Sequence, residues 1–188
     1  MRPDWDSLFE VAASQEGLFS TRQAAEAGYS PQLLVHHVRA GRMLRVRRGI
    51  YRLVHFPAAE HEDLVTIWLW SEQAAVLSHE TALGLHGLSD ALPATVHVTL
   101  PSSWRKRRFR APHGVVLHYA DIEPGERAWA GPVPITSVSR TLNDLASRGL
   151  SPELMQQAAR QALRRGLTAR DELAAVEHAL EPFGGLAA

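Results

Sequence analysis

Apolar and polar positions alternate along this chain with two different periods. Trp5, Leu8, Phe9 and Ala12 fall at helical spacing and predict an amphipathic first helix over Trp5 to Ala13, closed near Gly17. Phe19 then precedes Ser20-Thr21-Arg22-Gln23, in which Ser20 and Gln23 have capping-box spacing and Phe19 can act as the staple. The helix so started, Thr21 to Ala27, is short and lined with alanine, and Gly28 ends it. Ser30 caps a third helix whose first residue is Pro31, where the missing N–H costs nothing. With Leu34 set inward, His37, Val38 and Gly41 share its side, while Gln32, His36 and Arg39 point away and Val35 lies on the flank. The period then changes to two: Leu44 to Arg47 and Ile50 to Leu53 alternate around an Arg48-Gly49 turn, which predicts a tight hairpin.

Beyond a boundary at His55 to Ala59, a strongly apolar helix is expected from about Glu60 to Gln73, with its tryptophans in the core. Ser78 caps another helix that closes at Gly87. Three β-like runs follow, Thr95–Leu100, Val115–Tyr119 and Val133–Ile135. Helices are then expected over Arg140–Ala146, from Ser151-Pro152 to Gly166, and from Thr168-Asp171 to about Leu180, with a frayed tail after Pro182. Together these elements predict an α+β protein. Residues 1–55 form a winged helix-turn-helix, and residues 60–188 form a small mixed α/β domain with C-terminal helices.

Charge changes this picture through its distribution rather than its sum. The net charge is zero, yet residues 1–55 hold eight arginines and five acids, and the remainder holds twelve basic and fifteen acidic residues. From Tyr29 to Val54 there are six arginines, Arg39, Arg42, Arg45, Arg47, Arg48 and Arg52, and no acid. A solvated face usually mixes both signs, so a one-sign block suits a polyanion. Gln32, His36 and Arg39 on the helix, Arg42 and Arg45 beyond it, and Arg47 and Arg48 at the hairpin tip are the candidate DNA contacts. A second block, Arg105, Lys106, Arg107, Arg108 and Arg110 with Trp104 and Phe109, joins two predicted strands. It reads as a further nucleic-acid contact, a docking loop for an acidic protein, or a solvated connection.

Catalytic and metal chemistry find little support at this level. There is no cysteine, which excludes disulfides and thiolate metal sites. His79-Glu80 with His86 lacks the four-residue spacing of a zinc-protease helix. His97, His113 and His118 lie in or near strands and could cluster across a sheet, but they read better as satisfied structural histidines, because no carboxylate or cysteine stands at ligand spacing. Arg140 and Asp144, four apart, read most simply as an intrahelical pair, with an anchor for the sheet or for a partner as the alternative. No phosphate loop, nucleophile elbow or nuclease pattern is present, so no enzymatic activity, cofactor or metal is expected. No apolar run reaches the ~18 residues of a membrane span. With no leader at the start, a soluble cytoplasmic protein is expected.

Four segments, in this order, carry a resemblance to a family: Gly17-Leu18-Phe19-Ser20-Thr21 with Gln23-Ala24; Arg45-Val46-Arg47-Arg48-Gly49-Ile50-Tyr51-Arg52; Ser78-His79-Glu80-Thr81-Ala82-Leu83 with Leu85-His86-Gly87-Leu88; and Ser139-Arg140-Thr141-Leu142-Asn143-Asp144-Leu145-Ala146. The chain resembles the AbiEi-like antitoxins of type IV toxin–antitoxin systems. The resemblance implies a winged helix that binds inverted repeats in promoter DNA and represses its own operon. It also implies a C-terminal α/β domain that counters a nucleotidyltransferase-like toxin. Some relatives carry a nuclease-like domain after the Arg-Thr-Leu-Asn-Asp-Leu helix, a pattern the last forty or so residues here do not show. The expectation is therefore a DNA-binding autorepressor and antitoxin. The alternatives are a protein- or RNA-interaction module and, further off, a small metal-dependent nuclease.

Overall fold

A computed structural model describes residues 2–89, 94–107 and 110–186. The chain divides into two compact units, residues 1–74 with 131–133, and residues 75–130 with 134–188. The apolar helix after the expected boundary at 55–60 thus groups with the first unit.

In that unit the starts of the first three helices are each fixed by a short polar side chain. Helix α1 (Trp5–Ala13) is capped by Asp4, whose carboxylate accepts the Ser7 amide. Strand β1 (Leu18–Ser20) runs directly into α2 (Thr21–Glu26), where Ser20 and Gln23 form the reciprocal capping box. Helix α3 (Pro31–Arg39) starts at Ser30, which accepts the Leu33 amide. Strands β2 (Met43–Arg47) and β3 (Ile50–Leu53) complete an antiparallel sheet ordered β1-β3-β2, and α4 (Glu62–Trp70) follows. The three short helices and this sheet make a winged helix.

Within this unit, strand β1 is the element that the sequence reading does not contain. Phe19, expected as a helix staple, is fully buried and pairs across β3 with Tyr51, their rings stacked at 5.9 Å. Leu8, Ala24, Leu34, Met43 and Leu53 close the core around it. Gly28 holds the turn between α2 and α3 at φ +83°, and a Cβ there would sit 2.5 Å from the Arg2 carbonyl oxygen. Any side chain would push the N-terminal segment off.

The second unit has a five-stranded mixed sheet. Its elements begin with β4 (Val76–Leu77), α5 (His79–Leu85), β5 (Val96–Leu100) and β6 (Val115–Tyr119). They continue with β7 (Arg127–Ala130), β8 (Val133–Thr136), α6 (Val138–Ser147), α7 (Pro152–Arg164) and α8 (Ala174–Leu180). The sheet order is β6-β5-β4-β8-β7, with β4–β5 antiparallel and β5–β6 and β4–β8 parallel. Helices α5, α6, α7 and α8 share a core that includes Leu83, Leu142, Leu145, Met155 and Val176.

Two expectations fail at the C-terminal end. Thr168-Asp171 does not open the last helix. Instead the Glu172 carboxylate takes the Ala169 amide and the Thr168 hydroxyl, closing a 3₁₀ turn before α8 begins at Ala174. The tail is also docked rather than frayed as far as residue 186. Leu186 is 2% exposed within the helical core, and the Gln156 amide donates to the carbonyls of Phe183 and Gly185. Among the described residues no helix is long and apolar enough to cross a membrane.

Candidate nucleic-acid interface

The third helix is aimed by one residue. Leu34 is fully buried, which leaves Gln32, Val35, His36 and Arg39 exposed on the opposite side. His37 and Val38 are half-buried on the flank toward Leu34, as the wheel predicts, whereas Gly41 is exposed with open space around it. His37 packs against Tyr29 at 5.7 Å between ring centroids. Burial holds its pKa below the ordinary histidine value, and the nearby Arg42 charge pushes the same way. His36 is the imidazole left facing solvent.

The hairpin is tied down at its tip. Gly49, at φ +78°, supplies the left-handed turn residue, and its carbonyl accepts the Thr21 amide at 2.8 Å and the Thr21 hydroxyl at 3.2 Å. The register shifts between Arg45 and Arg47, a bulge that turns the end of β2. Arg42, Arg45, Arg47 and Arg48 are all exposed. Leu44 and Val46, which share the other face of the strand, are exposed as well, at 52% and 47%.

Arg52 behaves differently from the rest of the basic run. Its side chain is only 13% exposed and grips Glu62 at 2.8 Å, with further bonds to the carbonyls of Phe56 and Pro57. It locks β3 to the segment that leads into α4. Sequence spacing gives no hint of this, since Arg52 and Glu62 stand ten apart across a proline-containing loop. Among the described residues, none of Arg39, Arg42, Arg45, Arg47 or Arg48 is ion-paired with a carboxylate. One helix face and one hairpin edge therefore carry five uncompensated guanidinium groups, with an amide and an imidazole beside them. Guanidinium forks suit phosphates and guanine edges, and the amide suits adenine.

The second basic block is arranged in another way. Ser102–Lys106 is a 3₁₀ turn. Arg107 lies over the Trp104 ring at 4.0 Å, and Arg105 donates to the Tyr119 carbonyl at 3.3 Å. Lys106 and Arg110 are exposed, and Arg108 and Phe109 lie outside the described residues. Aromatic contacts thus occupy part of this charge.

Residues 6–54 match the family model of AbiEi antitoxin transcriptional regulators. The match spans the winged helix from α1 to β3, and so includes every helix and hairpin position singled out above. No curated protein matches the chain. Among solved structures, the RV2827C protein from Mycobacterium tuberculosis aligns over 95% of this chain and 76% of its own, at 15% identity and a TM-score of 0.46.

Five histidines of the second unit fall into two groups. His86 sits at the end of α5 with Nε2 2.8 Å from the Thr136 carbonyl oxygen, a structural role, and His113 is exposed. His97 and His118 stand on the paired strands β5 and β6, Nδ1 to Nε2 at 3.1 Å. The fold adds His79, from the first residue of α5, whose ring stacks on His118 at 3.7 Å. Glu80 then brings the carboxylate that the strand positions lack, Oε2 lying 3.0 Å from His97 Nδ1. Burial drives both His79 and His118 down to about 4, so both are neutral at pH 7. Reading His79 with His86, and His97 with His113 and His118, separated residues that only the packing of α5 on β5 unites.

Proposed function

We propose that this protein is a DNA-binding transcriptional autorepressor that serves as the antitoxin of a type IV toxin–antitoxin system, opposing a nucleotidyltransferase-like toxin. The observation that carries this reading is the acid-free row of exposed guanidinium groups on α3 and the β2–β3 hairpin, within the segment that matches the AbiEi regulators. In this reading α3 enters the major groove of promoter DNA bearing inverted repeats, and Gln32, His36 and Arg39 meet base edges or phosphates. Arg42, Arg45, Arg47 and Arg48 hold the backbone or reach the minor groove. No catalytic step is assigned to the chain, and it works in the cytoplasm.

The test is a salt titration of binding to a duplex from the protein's own promoter. Replacing Arg47 and Arg48 together with Ala should lower affinity and flatten the slope of log K against log salt by about one to two units. Unchanged affinity and slope would remove the hairpin from the interface. A second reading, a protein- or RNA-interaction module, draws on the exposed Val35, Leu44 and Val46. Binding of RNA or the neighbouring gene product in preference to duplex DNA would favour it.

A further inference from the structure

We propose that His79, His97 and His118, together with Glu80, form a binding site for one zinc ion in the second unit. This goes beyond the DNA-binding reading and does not depend on it. One ligand atom from each of the three histidines lies within 4.8 Å of the other two. The three come from α5, β5 and β6, so local sequence spacing does not gather them. The Glu80 Oε2 atom is shielded from solvent and accepts no hydrogen bond, although it stands 3.0 Å from His97 Nδ1.

Hydrogen bookkeeping shows why the cluster is unsatisfied with protons alone. Arg148 Nη1 can only donate, and it lies 3.3 Å from His118 Nδ1, which must then be the unprotonated nitrogen. The His118 proton is thereby on Nε2, directed at His97 Nδ1 at 3.1 Å. His97 Nδ1 is then a lone pair, facing a carboxylate oxygen that also has only lone pairs to offer. Moving the proton to His97 Nδ1 relieves that contact but sets His118 Nδ1–H against the Arg148 donor. No set of neutral tautomers satisfies every contact. A cation at the meeting point of His97 Nδ1, His118 Nε2 and Glu80 Oε2 takes the lone pairs of His97 Nδ1 and Glu80 Oε2, and that of His118 Nε2 once its proton has moved to Nδ1.

The donor set selects the ion. Three imidazoles and one carboxylate, with no thiolate, suit a tetrahedral zinc ion, with bond lengths of about 2.0–2.2 Å. Four protein donors fill that tetrahedron, so the ion serves as a clamp of α5 onto β5 and β6 rather than as a hydrolytic centre. Two adjustments accompany loading. The 4.8 Å spread must contract to about 3.3 Å between ligand atoms. The His79 ring, now 16° from parallel with His118, must also turn, since one ion cannot lie in both ring planes. His79 stands at φ +54°, a left-handed backbone uncommon outside glycine, and the Ser78 hydroxyl 2.9 Å from Nδ1 can orient the ring from behind. Arg148, exposed, must release His118 and so competes with the ion.

The experiment titrates zinc chloride alone into tag-free protein stripped with a chelator, followed by calorimetry and by the visible absorption of a cobalt(II) substitute. One equivalent per chain and tetrahedral cobalt bands are expected. His97→Ala or His118→Ala, with folding checked by circular dichroism, should weaken binding at least tenfold, while His113→Ala should not change it. Arg148→Ala, a solvent-facing change that leaves the core alone, should tighten binding. Absence of a one-to-one isotherm, or a His97→Ala protein that binds zinc as the parent does, would overturn the site. An Arg148→Ala protein with unaltered or weaker affinity would overturn the tautomer argument on which it rests.

Discussion

Two opposite fates of arginine are seen most clearly when one stretch from each unit is set beside the other. In the first, Arg45, Arg47 and Arg48 stand in solvent along one hairpin edge. In the second, Arg140 is 19% exposed and holds Glu126 at 2.7 Å and Asp144 at 2.9 Å. A guanidinium that already has two carboxylates has little left to offer a phosphate. One with none keeps its full charge and its unused donors. The lesson is that the count of arginines says little about nucleic-acid binding, and that their compensation decides it. Arg52 makes the same point inside the basic run itself, because its charge is spent on Glu62.

That comparison can be tested by removing members of each class. Arg140→Ala should have the largest effect on folding, about 2–3 kcal/mol lost in urea denaturation at pH 7, since it strands Asp144 and Glu126 together. A loss below about 0.5 kcal/mol would show that the pairing is ornamental. Arg52→Ala should cost about 1–2 kcal/mol by the same measurement, through the unpaired Glu62 and the freed carbonyls. Its effect on DNA affinity should be small next to that of the Arg47/Arg48 double variant, which in turn should leave stability within about 0.5 kcal/mol of the parent. If Arg52→Ala and the double variant affect DNA alike, the division into spent and free arginines fails.

Gln32→Ala and His36→Ala should each cost about 1–3 kcal/mol of binding at particular base pairs and almost nothing on other duplexes. Equal losses on every sequence would place these residues on phosphates. The smallest effect concerns acid. Burial holds His86 below the ordinary histidine pKa, with Arg165 pushing the same way and the Thr136 carbonyl partly opposing. The unfolded chain therefore takes up a proton first. The contribution of His86 to stability is fully present above pH ~6.5 and is lost as pH falls toward the lower folded value. His86→Gln should flatten the pH dependence of stability over that window, and an unchanged profile would count against it.

Much of the first unit was legible because its signals are local. Ser30-Pro31, the Ser20–Gln23 box and the Arg48-Gly49 turn each act within a few residues, and Leu34 alone sets which face of α3 looks outward. Strand β1 was not legible: three residues carry no period, and Leu18–Ser20 become a strand only because β3 lies beside them. The two-residue β4 escaped for the same reason. At the far end, Leu186 is buried by a helical core that no pattern in the last residues announces.

The sequence by itself determined where the first three helices start, where the hairpin turns and which stretch carries one sign of charge. Caps, glycines and alternation act through bonds to near neighbours, so the chain carries those instructions wherever it goes. Tertiary structure alone decided which arginines are spent and which are free, because a partner such as Glu62 is chosen by distance in space. It also decided that His79 and Glu80, read from the sequence as parts of a capped helix, meet His97 and His118. Packing of a helix on a sheet joins residues that no spacing rule connects.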